Sequence, residues 1–237
     1  KIAQMHKIKN TFSFDMGGTT AKICLIKNQK PKTSKVFEVA RSYRFKKGSG
    51  MPISIPVIDM VEIGAGGGSL AHVDELSQIR VGPQSAGSEP GPASYGLGGT
   101  SPTVTDAAVI LGYIDPAHFL GGRMALDRKA AHDAIAKLGE TLGQDVDRTA
   151  FAIMAVANEN MIEAIKELTV NEGINPAEST LVAGGGAGGL GIVPIASELG
   201  CKKILVPRTA GALSASGMQF SDIITEAGAS KLTTTEK

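Results

Sequence analysis

Along residues 11–26 (TFSFDMGGTTAKICLI), Ile23 and Leu25 alternate with Lys22 and Cys24. A period of two marks half-buried strands, so this stretch reads as two short strands around a Gly-Gly turn. Residues 27–60 mix polar turns with short β-like runs at 35–40 and 53–58. Pro52 and Pro56 restrict these runs to edge strands or extended loop. A glycine cluster (IGAGGGS) and a strand-like LAHV fill 61–81. Residues 82–99 read as one long loop rich in Gly, Pro and Ser, a kind that is usually functional or disordered.

From Ser101 the period lengthens to that of helices. Thr105 reads as the N-cap of a short helix over 106–111. Asp127 caps a second helix, with Ala131, Ile135, Leu138 and Leu142 on one face and Gly143 at its end. The longest helix is predicted over 148–172. Its stripe of Phe151, Met154, Asn158, Met161, Ile165 and Leu168 is spaced by threes and fours, and Gly173 and Pro176 stop it. A strand (180–183), a glycine loop (184–191), a short helix to Leu199 and a strand (203–206) then form a βαβ-like unit. Residues 1–10 read as a flexible or trimmed amino terminus, 11–228 as the folded domain and 229–237 as a frayed polar tail.

Composition narrows the function. Lys and Arg total 24 against 23 Asp and Glu, a net charge of +1, so no electrostatic footprint for nucleic acid or anionic lipid exists. Aromatic residues are 4% and Trp is absent, which argues against stacking platforms for single strands. Hydrophobic residues at 42% suffice for a packed core. No apolar run approaches the ~18 residues of a membrane span, and residues 1–10 lack the apolar core of a secretory signal. Cys24 and Cys201 are too few for a disulfide scaffold and read as reduced thiols of a cytoplasmic protein. His72, His118 and His132 have no second His or Cys at zinc-ligand spacing. Glycine is the outlier, at 30 of 237 residues against a usual ~7%. Its clusters point to tight loops where backbone closely approaches something.

Four loops are candidates for chemistry. In Asp15-Met16-Gly17-Gly18-Thr19-Thr20, a strand delivers a carboxylate and two glycines turn successive N–H groups into one concavity. Such a nest binds phosphate, and the Asp can orient a water on phosphate-bound Mg²⁺; a plain hairpin turn gives the same spacing. Gly184, Gly186 and Gly189 satisfy G-x-G-x-x-G after a strand, as in a dinucleotide site. Yet the next strand ends Leu205-Val206-Pro207-Arg208, without the acid that holds a ribose, and close strand–helix packing explains the glycines equally. Gly64–Ser69, preceded by Asp59 and Glu62, reads either as a loop closing over substrate beside a carboxylate or as a flexible connection. In Val81–Gly99, three prolines stiffen the loop, and Glu89 and Tyr95 either meet a ligand or are solvated. Asn158 interrupts its apolar stripe and reads as a buried partner of loop backbone, with ligand contact as the alternative. Cys24 reads as packing rather than nucleophile.

In sequence order, FDMGGTTAKICLI, EIGAGGGSLAHVD, VGPQSAGSEPGPASYGLGGTSPTVTDAAVILGYIDP, FLGG and LVAGGGAGG resemble the hydantoinase A/5-oxoprolinase family. The likeness runs from about Thr11 to Gly217. It implies an α/β actin-like, sugar-kinase-like ATPase fold of the RNase H type, of which this chain is the second portion. The lobe carrying the family's first phosphate loop has no counterpart here.

On that resemblance, Gly17, Gly18 and Thr19 are expected to offer N–H groups to phosphate and Thr20 a hydroxyl. Asp15 is expected to hold a Mg²⁺-bound water, and Gly184, Gly185 and Gly186 to let the nucleoside of ATP approach. Glu62 and Asp106 are expected near the reacting end. The implied activity is ATP-dependent opening of a cyclic amide such as a hydantoin or oxoproline-like ring, beside a companion hydantoinase B-like subunit. The alternatives are a carboxylase subunit that phosphorylates a ketone enolate or bicarbonate, a non-catalytic nucleotide-binding scaffold and an NADP-binding Rossmann domain. Lys22 stands where many relatives carry Asp. Gly189, Leu190 and Gly191 stand where many carry Pro-Leu-His, so the family pattern leaves the substrate open.

Overall fold

The structure is a computed structural model, and it describes residues 1–40, 42, 48–221, 223 and 225. The polar tail at 229–237 lies outside the described residues. A short helix, α1 (Ile2–Met5), precedes β1 (Asn10–Met16) and β2 (Ala21–Lys27). These pair antiparallel around the Gly-Gly turn, as their alternation predicts. β3 (Lys30–Pro31) continues along β2. A hairpin arm follows, built from β4 (Thr33–Ser34), β5 (Phe37–Val39), β6 (Met51–Ile53) and β7 (Val57–Ile58), with β4 pairing β7 and β5 pairing β6. β8 (Met60–Ile63) returns to the free edge of β2.

The last third completes this sheet. β11 (Thr180–Gly184) lies parallel to β1, and β12 (Lys203–Leu205) lies parallel to β11. The order is β12-β11-β1-β2-β3, with β8 also on β2. Three antiparallel positions and two parallel ones exclude the all-parallel Rossmann sheet, so the dinucleotide reading of 184–189 falls.

Between β8 and β11 the chain makes a second unit. β9 (Ser69–Val73) and β10 (Ile79–Ser85) form a two-stranded sheet. Thus β10 takes the start of the segment read as one long loop. Then come α2 (Val104–Ile110), α3 (Arg128–Leu142) and α4 (Val146–Asn171). Asp127 caps α3 and Gly143 ends it in the left-handed conformation, as expected. The cap of α2 is Thr103, not Thr105, because Thr103 lies three residues before Asp106 and the two form a reciprocal capping box. α4 begins two residues earlier than predicted because Asp145 accepts from the Arg148 N–H. α5 (Gly188–Glu198) and α6 (Leu213–Met218) flank β12 in sequence.

Two cores result. Phe12, Phe14, Ile23, Ile63 and Leu181 project from one sheet face onto Met161 and Ile165 of α4 and Ile192 and Ile195 of α5. Each such buried side chain stabilises by about 1.5–3 kcal/mol. The second core joins Val104, Val109, Ile135, Ile153 and Met154 to Ala71 and Val81. With 26 residues, α4 is about 39 Å long and reaches from one core to the other. Phe151 belongs to neither core; it is 63% exposed, a correction to its place in the predicted stripe. Among the described residues, no helix is long and apolar enough to cross a membrane.

Candidate functional site

Three glycine loops meet where the two units join. The Gly67 N–H donates to Gly17 O (3.0 Å) and the Gly68 N–H to Gly18 O (2.7 Å). A Cβ on Gly66 would stand 2.6 Å from Gly17 O and Gly18 O, so only glycine permits this contact. Thr105 Oγ1 donates to Gly67 O at 2.8 Å, fixing the loop from α2. Residues 64–69 therefore pack as a wall against the first loop. From the third loop, the Ala187 N–H donates to Met16 O at 3.0 Å.

The first loop keeps free donors. The Gly17 N–H closes the turn on Thr20 O at 2.9 Å, so it is not available to a ligand. Among the described residues, no acceptor engages the Gly18 and Thr19 N–H groups. Thr19 is exposed and Thr20 half-buried.

Across the sheet, Asp15 faces Lys22 on β2, Lys22 faces Glu62 on β8, and Asp15 faces Gly184 on β11. Paired residues share a sheet face, here the one opposite the apolar core. Asp15 Oδ2 accepts from Ser214 Oγ at 2.7 Å. Lys22 Nζ lies 3.4 Å from Thr20 Oγ1 and 3.5 Å from Glu62 Oε1. Glu62 thus belongs to this polar row beside the first loop. Asp59 instead pairs with Lys32 at 3.0 Å, away from the glycine wall.

Asp106 lies elsewhere. It is fully buried and accepts from the Ala93, Ser94 and Thr103 N–H groups and from Thr103 Oγ1. Those bonds hold the start of α2 and the 93–95 turn. Asp106 was expected near the reacting end; the capping box occupies its Oδ2 and the Ser94 N–H its Oδ1, so the role the structure shows for it is to hold this backbone.

The third loop divides. A Cβ on Gly184 would stand 2.3 Å from Leu213 Cδ2, and one on Gly185 (φ +82°) 2.1 Å from Met16 O. The space these two glycines leave is filled by the protein's own chain, so the role the structure shows for them is packing. Gly186 has nothing within 4 Å of its Cβ direction and opens into a cavity.

That cavity, about 1240 Å³, runs from Gly17 and Gly18 past Gly186 along α4 and α5. Tyr113, Phe119, Phe151, Leu190, Val193 and Pro194 give it mostly apolar walls. Tyr95 also lines it and leans on Phe119, with ring centroids 5.6 Å apart. Asn158 reaches it from α4. Ser214 was not among the predicted site residues; of the two readings of Asn158, the loop-backbone partner is not found, since among the described residues no hydrogen bond engages its side chain, and ligand contact stays open. Its interruption of an apolar stripe was the available signal.

No three metal-ligating side chains meet among the described residues. Burial, then the nearby Asp59 carboxylate, push the Cys24 thiol up to about 11, which agrees with packing rather than nucleophilic chemistry.

The caprolactamase subunit alpha of Pseudomonas jessenii is 41% identical over 223 residues, covering 94% of this chain and 31% of the relative. The crystal structure of the ATP-dependent caprolactamase from the same organism superposes with a TM-score of 0.79 at 39% identity, over 94% of this chain and 31% of that one. The nucleotide-free structure of acetone carboxylase, which carries out ATP-dependent acetone carboxylation, gives 0.80 at 28% identity, over 91% and 29%. The chain therefore spans about a third of the length of the proteins it matches. The family profile for hydantoinase/oxoprolinase matches residues 1–227, and the chain belongs to that family.

Proposed function

We propose that this chain is the ATP-binding portion of a longer, two-lobed enzyme that opens a cyclic amide. The observation that carries the proposal is the junction of three glycine loops at one end of the cavity. The sheet order, antiparallel on one side of β1 and parallel on the other, supports an actin-like fold of the RNase H type.

The residues fit Mg²⁺-ATP in their chemistry. Gly18 and Thr19 offer free N–H groups, and Thr20 adds a hydroxyl, as an anion nest requires. Asp15, the carboxylate at the strand end, suits a Mg²⁺ ion that keeps most of its waters. Gly186 leaves room for the nucleoside to enter the apolar cavity. When bound, ATP supplies the phosphoryl group that turns an unreactive amide oxygen into a leaving group. The protein's share is positioning and charge stabilisation. Ser214 holds Asp15, and Glu62 holds Lys22 beside Thr20. The second lobe supplies the opposing phosphate loop, and a companion subunit completes the enzyme in the cytoplasm.

The likeness to acetone carboxylase favours a second reading, ATP-dependent carboxylation of a ketone. The complete protein with its companion subunit, given Mg²⁺-ATP and either a lactam or a ketone with bicarbonate, separates the two. Lactam-stimulated ADP release is the expected result. ADP release stimulated only by ketone and bicarbonate establishes the second reading, and stimulation by neither removes both.

A further inference from the structure

Asn158 occupies a place that the phosphate loops do not explain. It lies on α4 between Met154 and Ile162, both buried, and it is itself half-buried in the cavity. Among the described residues, no protein group hydrogen-bonds its amide, which leaves that amide open to a molecule in the cavity. Its seat is built by α5. A Cβ on Gly191 would stand 2.1 Å from Asn158 Oδ1 and 3.1 Å from its Cγ. Gly191 lies inside a helix and has no left-handed φ, so what a side chain there would meet is the end of Asn158 itself. Without a side chain, Gly191 leaves room on α5 for the Asn158 amide.

The cavity around Asn158 has apolar surface for a ring. Tyr113, Phe119, Leu190 and Val193 supply apolar surface, and Gly17, Gly18 and Gly186 connect it to the phosphate nest. A side-chain amide presents an acceptor beside a donor. That pair complements the amino group and neighbouring ring nitrogen of adenine, the bidentate match that Asn makes with this base elsewhere.

We propose that Asn158 is the base-reading residue of the cavity and makes the site select adenine over guanine nucleotides. The inference rests on the nucleotide reading above and adds to it the residue that sets base specificity. A guanine ring presents two acceptors on the same edge, so one half of the pair is lost.

The test is titration of the complete protein with Mg²⁺-ATP and Mg²⁺-GTP, unaltered and as Asn158→Ala and Asn158→Asp. Alanine is a good helix former, and thermal melting confirms that each variant is folded. Asn158→Ala is expected to weaken ATP binding about tenfold or more and GTP binding distinctly less, which removes most of the preference for ATP. Asn158→Asp, which keeps the acceptor and loses the donor, is expected to fall between. A folded Asn158→Ala protein that keeps both its ATP affinity and its preference overturns the assignment and leaves the nucleotide site standing. The same result with weakened binding of caprolactam moves the amide to the ring substrate and also overturns it. If the unaltered protein binds neither nucleotide, the nucleotide reading itself has failed, and the assignment with it.

Discussion

Ser214 donates a hydrogen bond of 2.7 Å to the Asp15 carboxylate across 199 positions of sequence. Its neighbour Leu213 fills the space over Gly184. One short helix therefore closes the third glycine loop and fixes the carboxylate of the first.

Asp15→Asn is expected to keep the fold and to lower Mg²⁺-dependent ATP turnover of the complete enzyme by about 10²–10³-fold, the usual loss for one oriented charge-stabilising group. Ser214→Ala removes only the bond that holds it and is expected to cost about tenfold. Turnover assays beside melting curves check both. Normal turnover in a folded Asp15→Asn protein takes that residue out of the site.

For Asp106 the expected effect is on stability. Asp106→Ala strands the Ala93, Ser94 and Thr103 N–H groups, all buried. Each stranded donor costs ~1–3 kcal/mol, so a loss of at least about 3 kcal/mol is expected in denaturant unfolding. A variant of normal stability that has lost turnover would instead return Asp106 to the chemistry.

Gly185 and Gly186 are adjacent but are expected to respond in opposite ways. Gly185→Ala forces a Cβ to 2.1 Å from Met16 O at φ +82°, and is expected to cost more than about 2 kcal/mol. Gly186→Ala meets nothing within 4 Å and is expected to stay within about 0.5 kcal/mol of the parent. Paired unfolding curves check this. Equal effects would show that the loop is looser than described.

Cys24 is expected to resist alkylation. With its thiol pushed up to about 11 by burial, then by Asp59, its thiolate fraction near pH 8 is about 100-fold below that of a thiol at 9.0. The folded state holds this proton more tightly than the unfolded chain does. The corresponding stability is fully present below pH 9 and is lost as pH rises through about 11. Iodoacetamide labelling against pH, read by peptide mass, measures it. Rapid labelling of folded protein at pH 8 contradicts the burial account.

The sequence showed the repeating elements well. Alternation at Ile23 and Leu25 located the first hairpin, and Asp127 and Gly143 bracketed α3 because caps are local chemistry. What stayed hidden depends on distant packing. Nothing local to 64–69 tells that Gly66 meets Gly17 and Gly18, or that Leu213 fills the gap at Gly184. Asp106 looked available because its partners at 93 and 94 lie more than ten residues upstream. Asn158 was visible as an exception in a stripe, but its seat against Gly191 of another helix was not.

The most direct measurement is calorimetric titration of Mg²⁺-ATP into the complete protein, with Asp15→Asn run in parallel. The expected result is saturable binding that depends on Mg²⁺ and is weakened by the substitution. A folded protein that takes up no ATP at millimolar concentrations would contradict the claim that the three-loop junction and its cavity are a nucleotide site.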